Sequence, residues 1–174
     1  MDFELHKALQ ILERTPKVLS AFLVNLSEDW THSNEGNSTW NPFDIIGHLT
    51  HGEHTDWLER TAIILSENSD KTFIPFDRFA QFENSKGKTL HQLLDEFETL
   101  RSKNLEKLAA LNLTEDDLEK KGVHPDLGPV TLRQLLSAWV THDLSHISQI
   151  ARVMAKQYSE EVGPWKAYMN ILSR

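Results

Sequence analysis

Apolar residues recur at intervals of three and four along most of the chain, and they do not alternate with polar ones over any run bounded by hairpin turns. The pattern predicts an all-α protein. The first amphipathic stretch, about residues 2 to 26, carries Leu5, Leu9, Leu12, Leu19, Phe22, Leu23 and Leu26. Thr15-Pro16 interrupts it, because proline removes a backbone donor and clashes with the preceding turn, so a kink or a restart capped by Thr15 is expected. Residues 27 to 41, rich in Ser, Asn, Thr and Gly, read as a loop. A second helix opens at Asn41-Pro42-Phe43-Asp44, with Asn as N-cap, Pro at the first helical position and an acid near the positive end of the dipole. It is expected to run to about Asn68. The third begins at Thr89 with Gln92 completing a capping box, and Leu90, Leu93, Leu94, Phe97, Leu100 and Leu108 form its apolar face. The fourth opens with the same device, Thr131 to Gln134, and continues to about Gln157. Four helices of about 20 to 30 residues suit a four-helix bundle.

Two connections are longer than helix packing demands. Residues 69 to 88 place Phe73, Phe76, Phe79 and Phe82 around Pro75 and the pair Asp77-Arg78, and so aromatic a segment is expected to lie against the bundle. Residues 111 to 130 predict a short helix from Thr114 to Lys121 stopped by Gly122, then a turn through His124-Pro125-Asp126-Leu127-Gly128-Pro129. The tail starts afresh at Gly163-Pro164-Trp165 and predicts a last short helix with Trp165, Met169 and Leu172 packing back.

Composition narrows the class. At 174 residues the chain suits a single domain spanning 1–174, and no apolar run approaches the length of a membrane span. The N-terminus lacks the basic start and apolar core of a signal peptide, so a cytoplasmic location is the default. With no cysteine there is no disulfide, thiolate metal site or cysteine nucleophile. A net charge of −8 without clustered Lys and Arg argues against nucleic-acid binding.

The chemistry concentrates in His142-Asp143-Leu144-Ser145-His146. At roughly 100° per residue, Leu132, Leu135, Leu136, Trp139, Ile147, Ile150, Val153 and Met154 fall in a stripe about 120° wide; His146 lies inside it and His142 at its edge. Imidazoles turned toward a core must be satisfied by hydrogen bonds, ordered water or a cation, and residues four apart can reach one ion. Two ligands bind weakly, so a third is needed. The second helix offers His48, His51 and His54, which cannot all converge. The lane of Ile45, Leu49, Gly52 and Ile63 faces the core with His48 beside it and with Gly52 leaving room for an ion, while His51 and His54 point away. Asp143 is a candidate for orienting a ligand or accepting a proton, the alternative being a pair with a basic residue. Hydrogen-bonded core histidines are the competing reading of the whole set. His-Asp-x-x-His also resembles the zincin helix, but its acid is one methylene short and only Glu160 and Glu161 follow nearby, beyond the helix. His6, His32 and His91 read as surface residues.

Trp40-Asn41-Pro42 leading into Ile46-Gly47-His48-Leu49 with Glu53, the turn His124-Pro125 with Gly128 and Thr131, and His142-x-x-x-His146 followed by Gln149-Ile150 together resemble the DinB/YfiT-like superfamily of metalloenzymes over nearly the whole chain. The resemblance implies an up-down-down-up four-helix bundle. It also implies a divalent ion, zinc or nickel among others, held by His48, His142 and His146 and by no other histidine. It further implies a metal-dependent transferase using a low-molecular-weight thiol, or else a hydrolase. Because this chain has no cysteine, any thiolate would come from a cosubstrate. The expectation is therefore a cytoplasmic metalloenzyme transferring a thiol to a small electrophile, with hydrolysis of a small molecule as one alternative and a non-catalytic metal-binding or dimerising module as another. The phenylalanines of 73 to 82 are expected to pack over the bundle end, and Arg78 is the residue placed for anion recognition. A homodimer is compatible with the bundle, although no exposed apolar face assigns it.

Overall fold

The computed structural model describes residues 2–173. The N-terminal stripe forms α1 (Leu5–Leu12) and α2 (Thr15–Leu23), separated at the predicted Pro16 junction. Thr15 does not cap the restart; its hydroxyl donates back to Ile11 O at 3.1 Å. The expected loop 27–41 contains one helical turn, α3 (Glu28–Thr31), started by Glu28 and Asp29 at the positive end of its dipole.

α4 (Pro42–Thr55) opens as predicted. The Asn41 side chain accepts from Asp44 N at 2.8 Å, and the Asp44 carboxylate accepts from Asn41 N at 3.2 Å. The single helix expected to reach Asn68 is instead α4 followed by α5 (Trp57–Leu65), with Asp56 at the joint at φ −117° and ψ −74°. Thr50, Thr55 and Thr61 donate their hydroxyls to carbonyls four residues back, a competition with the helix ladder that bends helices. A short α6 (Ala80–Asn84) lies in the long connection, and the residue that ends it, Ser85, packs against Gly47 of α4. A Cβ on Gly47 would sit 2.5 Å from Ser85 Oγ. α7 (Leu90–Ala110) and α9 (Leu132–Lys156) begin with the two predicted Thr/Gln capping boxes, and α8 (Glu115–Leu118) is the short helix before the turn.

The all-α expectation needs one correction. β1 (Lys121–His124) and β2 (Gly128–Thr131) pair antiparallel, with Lys121 opposite Thr131 and His124 opposite Gly128. Gly122 is thus a strand residue, not a helix stop. A Cβ there would lie 2.4 Å from Phe73 Cε1, so only glycine lets this strand cover the phenylalanine. His124 Nδ1 accepts from Asp126 N and Leu127 N and closes the turn. Phe73 N donates to Val123 O and Val123 N to Lys71 O, both at 2.9 Å, which ties the 69–88 connection to the hairpin. Of the four phenylalanines in that connection, Phe73 enters the core and Phe76 is half-buried, while Phe79 and Phe82 are exposed. The tail forms two 3₁₀ turns, Gly163–Tyr168 and Asn170–Leu172, with Leu172 half-buried but Trp165 and Met169 exposed.

The molecule is a mostly helical bundle whose apolar interior is divided in two. One core gathers Leu12, Trp57, Ile64, Leu105, Leu136 and Trp139; the other gathers Leu19, Ile45, Leu49, Phe97, Ile150 and Val153. Between Leu49 and Trp57 on α4–α5, Phe97 and Leu105 on α7, and Trp139 and Ile150 on α9, the inward positions are polar. No helix among the described residues is long and apolar enough to cross a membrane.

Candidate metal centre

The polar layer holds two neighbouring clusters that share α4 and α9. The first centres on Arg101, 2% exposed on α7. Its Nε and Nη2 donate to Glu53 Oε1 at 3.1 and 2.9 Å, its Nη1 and Nη2 to Asp143 Oδ2 and Oδ1 at 2.6 and 3.0 Å, and its Nη1 to Leu12 O at 2.9 Å. All five guanidinium N–H donors are thereby used. Asn104 Nδ2 donates to Glu53 Oε2 at 3.0 Å and Trp139 Nε1 to Glu53 Oε1 at 3.2 Å, so both oxygens of that carboxylate are satisfied. Burial pushes the Glu53 carboxyl up against the pull of Arg101.

The second cluster is His48 on α4 with His142 and His146 on α9, whose ligand nitrogens all lie within 4.8 Å of one another. His142 Nε2 is 3.0 Å from His48 Nε2 and 3.1 Å from His146 Nε2. The four-residue spacing on α9 stacks two rings one turn apart, and the capped start of α4 fixes the height at which His48 meets them. Trp40 lies 4.8 Å from the His48 ring, Phe76 meets it edge-on at 5.5 Å, and Trp57 meets His142 edge-on at 5.2 Å. Burial first, and the neighbouring imidazoles second, push His48 down to about 3 and His142 to about 2; burial likewise lowers His146. All three rings are therefore neutral at pH 7.

Neutral imidazoles cannot satisfy this geometry among themselves. Each has one N–H and one bare nitrogen, and the Nε2 of His142 faces two partners at once. The Nδ1 atoms of His48 and His142 are buried with no hydrogen-bond partner. Three converging ring nitrogens with no carboxylate among them fit a divalent cation and leave its remaining coordination positions to ligands from outside the triad.

The sequence-predicted residues divide clearly. His48, His142 and His146 are brought together. Asp143 is fully buried one residue from His142, with both oxygens on Arg101. Arg78 is exposed, its guanidinium 5.9 Å from the Trp40 ring and 5.3 Å from that of Phe79, and its charge is among those that lower His48. His51 is buried away from the triad against Phe76, with Asn84 Nδ2 3.3 Å from its Nδ1, and exposed His54 meets Glu96 at 3.1 Å. The nearest atom to a Cβ on Gly52 would be Trp57 Nε1 at 3.4 Å, an ordinary contact. Glu160 and Glu161 are exposed beyond α9. Arg101 was missed, although its place four residues after Phe97 and four before Leu105, in the apolar lane of α7, was a readable signal.

The fold and site together define a helical bundle with a candidate three-histidine metal centre set between two apolar cores. The chain belongs to the DinB superfamily, whose family model matches residues 11–150. Among solved structures it is similar to YfiT from Bacillus subtilis, described as "a probable metal-dependent hydrolase with an unusual four-helix bundle topology". That likeness has a TM-score of 0.72 at 21% identity and covers 91% of this chain and 87% of YfiT. No curated protein matches the chain.

Proposed function

We propose that the protein is a divalent-metal-dependent enzyme acting on a small molecule, with His48, His142 and His146 holding zinc or nickel and hydrolysis as its reaction class. The observation that carries this reading is the convergence of the Nε2 atoms of three neutral imidazoles, which can satisfy one another only in part. A divalent ion held there supplies Lewis acidity at a site with a coordination position left for another ligand. Trp40, Phe76 and Trp57 pack around the rings and keep them in a water-poor setting, where electrostatic effects are stronger than in bulk. Asp143, with both oxygens held by Arg101, is not placed to take a proton and bears on the triad through its charge beside His146. Arg78, beside Trp40, stands where an anionic group of a substrate entering past that ring would meet a cation.

Hydrolysis is placed ahead of thiol transfer because the solved structure that the chain resembles is described as a probable metal-dependent hydrolase. The up-down-down-up order, a cytoplasmic location, a thiol cosubstrate and a homodimer remain parts of the reading that rest on the sequence alone. The 66–89 span between α5 and α7 is long enough to carry such a crossover. Elemental analysis of protein prepared without chelator tests the centre, with about one ion per chain expected and loss of that ion in His48→Ala. Retention of the ion in that variant would overturn the ligand set. Turnover of an ester and amide panel with and without added thiol then separates the reactions, and strict thiol dependence would put thiol transfer ahead of hydrolysis. Arg78→Ala is expected to raise KM for anionic substrates several-fold with little change in kcat.

A further inference from the structure

The three histidines differ in what holds them. Nδ1 of His48 and Nδ1 of His142 have no hydrogen-bond partner, whereas Nδ1 of His146 lies 2.8 Å from Gln149 Oε1. Gln149 is half-buried on α9, three residues after His146, and so on the same helix face. An amide oxygen only accepts, so a contact through Oε1 requires the ring proton to be on Nδ1, leaving Nε2 bare and aimed at the other two rings.

We propose that Gln149 is a positioning residue that fixes His146 as the Nδ1–H tautomer and presents its Nε2 to the cation, making His146 the preorganised ligand of the three. This deepens the metal-centre reading and rests on it. The physical ground is that a ring held at one nitrogen can neither flip nor place its proton on the other. It therefore enters the coordination sphere without the reorientation that His48 and His142, held only by ring packing, must restrict in other ways. The opposite orientation of the amide would donate from its nitrogen to Nδ1 and put the proton on Nε2, which would block ligation, so the proposal specifies which amide atom faces the ring.

Two measurements test it, one without metal. Imidazole 15N shifts of the metal-free protein should report His146 as Nδ1–H, turning into a mixture of tautomers in Gln149→Met. Zinc affinity, read by competition with a chromophoric chelator, should fall about 10- to 100-fold in Gln149→Met. It should be largely kept in Gln149→Glu, whose carboxylate also accepts. The melting temperature of the metal-free variants should stay near that of the parent, a result that a merely structural Gln149 would not give. An Nε2–H tautomer in the parent, or undiminished zinc affinity in Gln149→Met, overturns the proposal. If the parent binds no zinc, the metal-centre reading fails, and the tautomer measurement still decides the role of Gln149.

Discussion

Two polar clusters lie side by side in this bundle, sharing α4 and α9, with α7 contributing Arg101 to the first alone, and they are opposites. Around Arg101 the guanidinium donors and the oxygens of Glu53 and Asp143 find partners inside the protein. A few residues along α4 and α9, the Nδ1 atoms of His48 and His142 are buried without partners, and the Nε2 atoms of the three histidines face one another. Burial makes an unpaired polar group expensive, so a closed network is expected where the group serves the fold, and an open one where something outside the chain completes it. The same helices thus carry a fastener and, in the proposed reading, a receptor, and the difference between them is what makes the triad the candidate site.

The fastener can be tested most directly at Arg101. Arg101→Met would leave Glu53 and Asp143 buried without their counter-charge, and is expected to cost about 3–5 kcal/mol of stability in urea unfolding of the metal-free protein. A loss under about 1 kcal/mol would mean that the carboxylates simply take up protons and that the network does not fasten the helices. The same experiment on the other cluster should give the reverse result. His142→Phe removes an orphaned nitrogen and fills the space with an apolar ring. Metal-free stability should be unchanged or higher by about 1 kcal/mol, while metal affinity falls at least about 100-fold. A metal-free loss of about 2 kcal/mol or more would show that the histidines, too, are fasteners.

The receptor was more legible in the sequence than the fastener. His142 and His146 announce themselves by spacing within an apolar stripe, and His48 by its place just after a sharply capped helix start; such signals survive because they are local. The pairing of Arg101 with Glu53 and Asp143 spans 48 and 42 residues and could not be read from any one helix. The hairpin was hidden for a similar reason. Gly122 and Pro129 are poor strand formers, and the pairing is stabilised by contacts with Phe73 and Lys71 from a distant connection. Asp56 interrupts the second helix where the sequence has neither glycine nor proline, and the three back-bonding threonines that accompany the bend are individually unremarkable in a helix.

A third cluster is satisfied like the first but sits at the rim, which separates the effect of pairing from that of burial. The Glu35 carboxylate accepts from Arg152 Nε at 3.0 Å and Arg152 Nη2 at 2.5 Å, and from Lys156 Nζ at 2.9 Å, pinning the 32–41 segment that leads into α4 onto the last turns of α9. Arg152 chiefly, with Lys156 behind it, pulls the Glu35 carboxyl down to about 2 against the cost of its burial. A carboxylate whose pKa is lower in the folded chain than in the unfolded one stabilises fully above the ordinary value of 4.5, and that contribution is lost as pH falls toward 2. Glu35→Gln should therefore cost about 1 kcal/mol at pH 7, the modest worth of an ion pair that water reaches, and the gap to the parent should close as the pH drops below about 4. Urea midpoints of both proteins across that range measure it. A gap that persists undiminished at about pH 3 would assign the effect to packing of the glutamate stem rather than its charge. It would also mean that satisfaction of a polar group in this bundle matters only in the buried layer, where the triad is left open.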